Sequence, residues 1–154
     1  MILLKSPFSQ DKIIQGFGFT PWIQSELAKN VKHYADNLHH GIDFSWPGCA
    51  GVPIPAAHDG IVVVDRDMDQ GGYGIHVTIW DPVQDIATRY GHMIRNIVVK
   101  DQHVKQGEIV GYIGSSGNST GAHLHWECIW TKNGFVINEL PMGGAFYPLI
   151  KCDA

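Results

Sequence analysis

Between Val52 and Asn138 the chain is cut by turn residues into short runs whose side chains alternate between apolar and polar, a period that strands can use and helices cannot. Asp59-Gly60 precedes the run from Ile61 to Val64. Gln70-Gly71-Gly72 precedes Tyr73 to Trp80, where Ile75, Val77 and Ile79 alternate with His76, Thr78 and Trp80. Asp81-Pro82 turns the chain into a return run from Asp85 to Tyr90. Glycines divide Val98 to Ile113, and Lys132-Asn133-Gly134 makes a hairpin into Phe135 to Asn138. The predicted fold is mainly β, an antiparallel meander. Pro21 to Asn37 is the best helical stretch, with Trp22, Ile23, Leu27, Ala28 and Val31 at helical spacing, and is expected as a short helix or an inserted loop.

A length of 154 residues fits one domain, 1–154, able to bury a core without disulfides or structural metal. The net charge of -4 leaves no basic footprint, so nucleic acid is not expected as a partner. No apolar run approaches the length of a membrane span, and the first residues lack the features of a signal peptide. The protein is expected to be a monomer that acts where it is made, leaves by lysis or a dedicated route, or is a trimmed secreted product. Cys49, Cys128 and Cys152 have no metal-ribbon spacing. The compositional oddity is nine histidines. Clustered histidines suit zinc or proton transfer near neutral pH.

Three segments gather the residues that could carry chemistry. In Gly121-Ala122-His123-Leu124-His125-Trp126-Glu127-Cys128, an extended backbone sends His123, His125 and Glu127 to one face and Leu124, Trp126 and Cys128 to the other. In Leu38-His39-His40-Gly41-Ile42-Asp43, a histidine and an aspartate sit four residues apart, and Gly41 is expected to turn the backbone so that they converge. Tyr90-Gly91-His92 closes the return run. Catalytic zinc takes three protein ligands and keeps one open position. His39 and Asp43 with one histidine of the 123/125 pair supply that number, leaving two histidines to handle protons. Metal-assisted hydrolysis of an amide or ester is the chemistry such a set can perform.

The segments His39-His40-Gly41-Ile42-Asp43, Tyr90-Gly91-His92 and His123-Leu124-His125 resemble, in order, the three motifs of the lysostaphin-like (LytM-type) zinc endopeptidases, which cut peptide bonds in bacterial peptidoglycan. Gly16-Phe17-Gly18, Val52 to Gly60, Gly71-Gly72-Tyr73-Gly74, Val104-Lys105-Gln106-Gly107 and Gly117-Asn118-Ser119-Thr120-Gly121 extend the likeness over roughly residues 13 to 130. The resemblance implies one Zn2+ per chain, held by His39, Asp43 and His125, with His92 and His123 as catalytic residues. It selects His39 over His40 and His125 over His123, choices that the spacing alone leaves open. It also implies the barrel-sandwich fold of that peptidase domain and peptidoglycan peptides as substrate, which would make the chain a bacteriolytic enzyme of the endolysin kind.

Further roles are expected around these five. The resemblance makes Tyr34 a candidate to steady the oxyanion; a groove-wall or core aromatic is the alternative. Glu127, on the metal face, could orient a ligating histidine or be a solvated strand charge. Asn118, Ser119 and Thr120 could contact the substrate backbone or make a plain polar turn. The rival function is a non-catalytic peptidoglycan-binding or hydrolase-activator module on the same fold. A biotinyl or lipoyl carrier would need a lysine on a hairpin tip, commonly flanked by methionines, and the sequence has no such tripeptide.

Overall fold

Alternating side chains make the long strands, and glycine and aspartate turns set where they stop. The computed structural model describes residues 4–18, 38–136, 145–146 and 150–151; the expected helix or loop at 21–37, and with it Tyr34, lies outside them. The strands are β1 (Leu4–Lys5), β2 (Ile13–Gln15), β3 (Ile42–Phe44), β4 (Pro53–Pro55), β5 (Gly60–Arg66), β6 (Ile75–Asp81) and β7 (Ile86–Asn96). They continue as β8 (His103–Val104), β9 (Ile109–Ile113), β10 (Leu124–Lys132), β11 (Phe135–Val136), β12 (Ala145–Phe146) and β13 (Ile150–Lys151). The main sheet runs β2-β3-β10-β7-β6-β5-β8, with β11 and β12 added to β10, and β9 linking β7 to β4. Among the described residues all of its pairings are antiparallel, and β1 and β13, in a separate pair, run parallel.

Two predicted hairpins form for the reasons their residues suggest. The Asp81 carboxylate accepts the backbone N–H groups of Val83 at 2.8 Å and Gln84 at 3.1 Å, closing the turn between β6 and β7. Between β10 and β11, Asn133 and Gly134 both take positive φ, 52° and 82°, as a tight hairpin turn demands. The return run, however, passes beyond Tyr90 and continues to Asn96.

The central strands β6, β7 and β10 place Val77, Ile79, Ile86, Tyr90, Leu124, Trp126 and Cys128 in one apolar cluster. On β10 the predicted alternation holds, but the polar face is also covered: His125 and Glu127 are buried as completely as their apolar neighbours. Tyr90 stands in the core rather than beside His92. Its hydroxyl accepts the Ala57 N–H at 2.8 Å and lies 2.9 Å from the Thr88 hydroxyl, which is itself 2.9 Å from His58 Nε2. Tyr90→Phe would leave the buried Ala57 N–H without its acceptor. It is expected to lower stability by about 1–3 kcal/mol, read from urea unfolding, with the fold unchanged.

Candidate metal centre

β3 and β10 pair in a register that sets Asp43 directly across from His125. Side chains of such cross-strand partners lie within easy reach of one another. Asp43 therefore stands on a strand, not in the glycine-turned loop that the spacing suggested. Gly41 takes no positive φ, and clearance is what requires glycine there. A Cβ at this position would lie 2.6 Å from the Trp126 carbonyl oxygen and 2.8 and 2.9 Å from the His125 ring. Gly41→Ala is accordingly expected to push β3 from β10 and weaken metal binding, read by competition with a chromophoric chelator.

His39 is set from the other side. Its backbone exchanges hydrogen bonds with Gly18, at 2.7 and 2.8 Å, and its Nδ1–H donates to the Gly16 carbonyl at 2.6 Å. The Gly16-Phe17-Gly18 segment thus fixes both the position of His39 and the nitrogen it turns inward. His39 Nε2 then lies 3.2 Å from Asp43 Oδ1 and 3.1 Å from His125 Nδ1, and His125 Nδ1 lies 2.8 Å from Asp43 Oδ1. All three residues are buried.

This triangle fits a metal ion on chemical grounds. Donors of a tetrahedral zinc site, with bonds of about 2.0–2.1 Å, are separated by about 3.3 Å, close to the spacings here. The far nitrogen of each imidazole already donates, His39 Nδ1–H to Gly16 O and His125 Nε2–H to Glu127 Oε1 at 3.0 Å. With neutral rings, two nitrogen lone pairs and a carboxylate converge with no proton between them, which calls for a cation. The three could hold a metal ion, the only such group among the described residues. Burial opposes ionisation of Asp43, but hydrogen bonds from His125 and His39 outweigh it and hold the carboxyl well below the usual range. At His125 burial opposes the charged form, yet hydrogen bonds to Asp43 and Glu127 raise its pKa to about 9. Without a metal a proton takes the cation's place there.

His92 and His123 flank the triangle, with ring centroids 4.6 Å apart. His92 sits on a β-bulge: between the pairs Ile75↔Met93 and Val77↔Tyr90, Gly91 and His92 together oppose His76 alone. Its φ of 59° is an uncommon value for histidine. The bulge is held by the His92 N–H donating to the Tyr73 carbonyl at 2.7 Å and by His92 Nδ1–H donating to the Ser116 carbonyl at 2.7 Å. His123 Nδ1–H donates to the Gly121 carbonyl at 2.8 Å, and its Nε2 lies 3.8 Å from Asp43 Oδ2. Both rings therefore keep Nε2 as the nitrogen not engaged by these backbone carbonyls. Burial, then the charges of His123 and His125, depresses the His92 pKa to about 3, which keeps the ring a neutral acceptor.

The remaining candidates are placed around this centre. Glu127 is buried, not a solvated strand charge, and its Oε1 accepts the His125 Nε2–H. Ser119 bonds the Gly121 carbonyl at 2.8 Å and stands 3.2 Å from His123 Nδ1, while Asn118 and Thr120 are exposed on the same loop. That loop is knit to the Gly71–Gly74 turn: Asn118 N–H donates to Gly72 O, and the Asp69 carboxylate accepts the N–H groups of Gly117 and Gly71. Sequence reasoning missed Ser116, whose hydroxyl donates to Met93 O at 2.6 Å and accepts Ile75 N–H at 3.0 Å while its carbonyl anchors His92. It also missed Tyr73 and Arg89, both bonded to Glu127.

The profile described as Peptidase family M23 matches residues 37–138, a span that contains all five of these residues. The chain belongs to peptidase family M23. This is a family of zinc metallopeptidases, and the mainly β antiparallel fold is the one shared by its solved members. DD-carboxypeptidase/endopeptidase Mpg of Neisseria meningitidis serogroup B is 38% identical over 144 residues, which are 90% of this chain and 32% of Mpg. Peptidoglycan DD-endopeptidase ShyA of Vibrio cholerae is 35% identical over 91 residues, 59% of this chain and 20% of ShyA. The chain thus spans about a third or less of the length of these curated relatives. A crystallised catalytic-domain variant of the prophage-encoded M23 protein EnpA from Enterococcus faecalis aligns with a TM-score of 0.66 at 31% identity, covering 86% of this chain and 91% of that one.

Proposed function

We propose that this M23 chain is a zinc-dependent endopeptidase that hydrolyses D-amino-acid peptide bonds in peptidoglycan, with His39, Asp43 and His125 as ligands. The observation that carries the reading is the buried triangle of donors with the inward nitrogens of two further histidines beside it. The DD-peptidase names of Mpg and ShyA favour a bond between D-amino acids over a glycine bridge. Bound zinc supplies a Lewis acid that makes water nucleophilic near neutral pH and polarises the scissile carbonyl. His92 and His123 carry the proton traffic: one Nε2 accepts a proton from the attacking water, and the other hydrogen-bonds the oxyanion or delivers a proton to the departing amine. The backbone carbonyls that accept both Nδ1–H groups leave each Nε2 a proton acceptor while its ring is neutral, and the ring that donates to the oxyanion or the amine does so in its doubly protonated form. Glu127 orients His125 by accepting its Nε2–H.

Released from a lysing cell or secreted, such an enzyme would be bacteriolytic; the prophage origin of EnpA favours the endolysin setting. Asn118, Ser119 and Thr120 then form one wall of the cleft, with Ser119 acting on His123 as much as on substrate. Mass spectrometry of muropeptides released from walls with direct cross-links and from walls with glycine bridges tests the bond. New D-alanine termini are expected from the first. Cleavage confined to glycine bridges would overturn the D,D assignment, and no cleavage of either wall would favour the activator module.

A further inference from the structure

Glu127 collects donors from three separate segments. Its Oε1 accepts the Tyr73 hydroxyl at 2.7 Å and His125 Nε2–H at 3.0 Å, and its Oε2 accepts Arg89 Nη1–H at 2.9 Å. Arg89 faces Glu127 across the β7–β10 ladder, its guanidinium lies over the Tyr73 ring at 4.5 Å, and its Nε–H reaches the Thr78 hydroxyl at 3.4 Å. A buried carboxylate needs pairing of this kind, and with both oxygens engaged it has little freedom to rotate. Tyr73 touches the other half of the site as well, since its carbonyl accepts the N–H of His92.

We propose that Tyr73 and Arg89 are positioning residues of the metal centre: together they fix the Glu127 carboxylate, which in turn holds the His125 ring with Nδ1 turned towards the metal. This rests on the ligand assignment made above. Glutamine at 127 could not replace the carboxylate, because its amide would present N–H groups either to Arg89 or to the Tyr73 and His125 donors. Outer partners of ligating histidines govern metal affinity, with losses of about 10–100-fold on mutation. A purely structural role for Tyr73 and Arg89 would instead change folding and leave affinity alone.

The test uses the full chain, stripped of metal and titrated with zinc against a chromophoric chelator, with the visible spectrum of the cobalt form read alongside. Tyr73→Phe keeps the ring beneath Arg89 and removes only the hydroxyl. It is expected to weaken zinc binding about tenfold, and Glu127→Gln by about 10–100-fold, each with an altered cobalt spectrum. The double variant should bind no more weakly than Glu127→Gln alone, because Tyr73 acts through Glu127. Arg89→Met should also weaken binding, with partial recovery in Arg89→Lys. Should Arg89→Met not fold, Tyr73→Phe decides the matter by itself. Wild-type affinity and spectrum in Tyr73→Phe, or losses that add in the double variant, overturn the proposal. Failure of the wild-type chain to bind zinc overturns the ligand assignment beneath it.

Discussion

His125→Ala is expected to bind no stoichiometric zinc and to release no peptide from peptidoglycan. Two donors, His39 Nε2 and Asp43 Oδ1, would remain of three, and the loss extends past the ligand count. In the metal-free chain, with a proton on both ring nitrogens, His125 also joins Asp43 and Glu127 through hydrogen bonds of 2.8 and 3.0 Å to the two carboxylates. Without it both buried acids lose a donor, so the substitution also costs stability. Asp43→Asn separates the two effects, since it keeps the shape of the site and removes its negative ligand. It too should lose zinc and activity, as measured by metal analysis of gel-filtered protein and by muropeptide release. Full hydrolysis by either variant would contradict the ligand assignment.

His92→Asn should behave in the opposite way, keeping one zinc per chain while kcat falls by about 10²–10⁴-fold, the usual contribution of a positioned acid or base. Asparagine is the informative substitute because it tolerates the positive φ that the bulge imposes at 92, so lost rate is not confused with a relaxed backbone. The zinc affinity of this variant should match the wild type. Lost zinc would instead make His92 part of the metal site, and an unchanged kcat would remove it from the mechanism.

Where the geometry depends on alternation it was readable from sequence. The faces of β10 follow from its period of two, and the β10–β11 hairpin follows from Asn133-Gly134. Gly41 was readable as a constraint but not as the right one, because sequence does not distinguish a glycine that bends from a glycine that makes room. The bulge at Gly91-His92 was hidden because an extra residue is defined only against its partner strand, here His76. The burial of Glu127, and its hold on Arg89 and Tyr73, depend on a strand neighbour 38 residues away in the chain and a turn residue 54 away, and no local pattern announces them. That the five residues His39, Asp43, His92, His123 and His125 converge could be anticipated only from three motifs taken together with the family they resemble. The helical pattern at 21–37 and Tyr34 lie outside the described residues.

The most direct test of zinc-dependent hydrolysis by this site is to add zinc in steps to the metal-free chain and follow the release of new peptide termini from purified peptidoglycan. Release should rise in proportion to zinc, level off at one equivalent per chain and stay at background throughout in His125→Ala. Hydrolysis by the metal-free chain, or a zinc response that survives in His125→Ala, would contradict it.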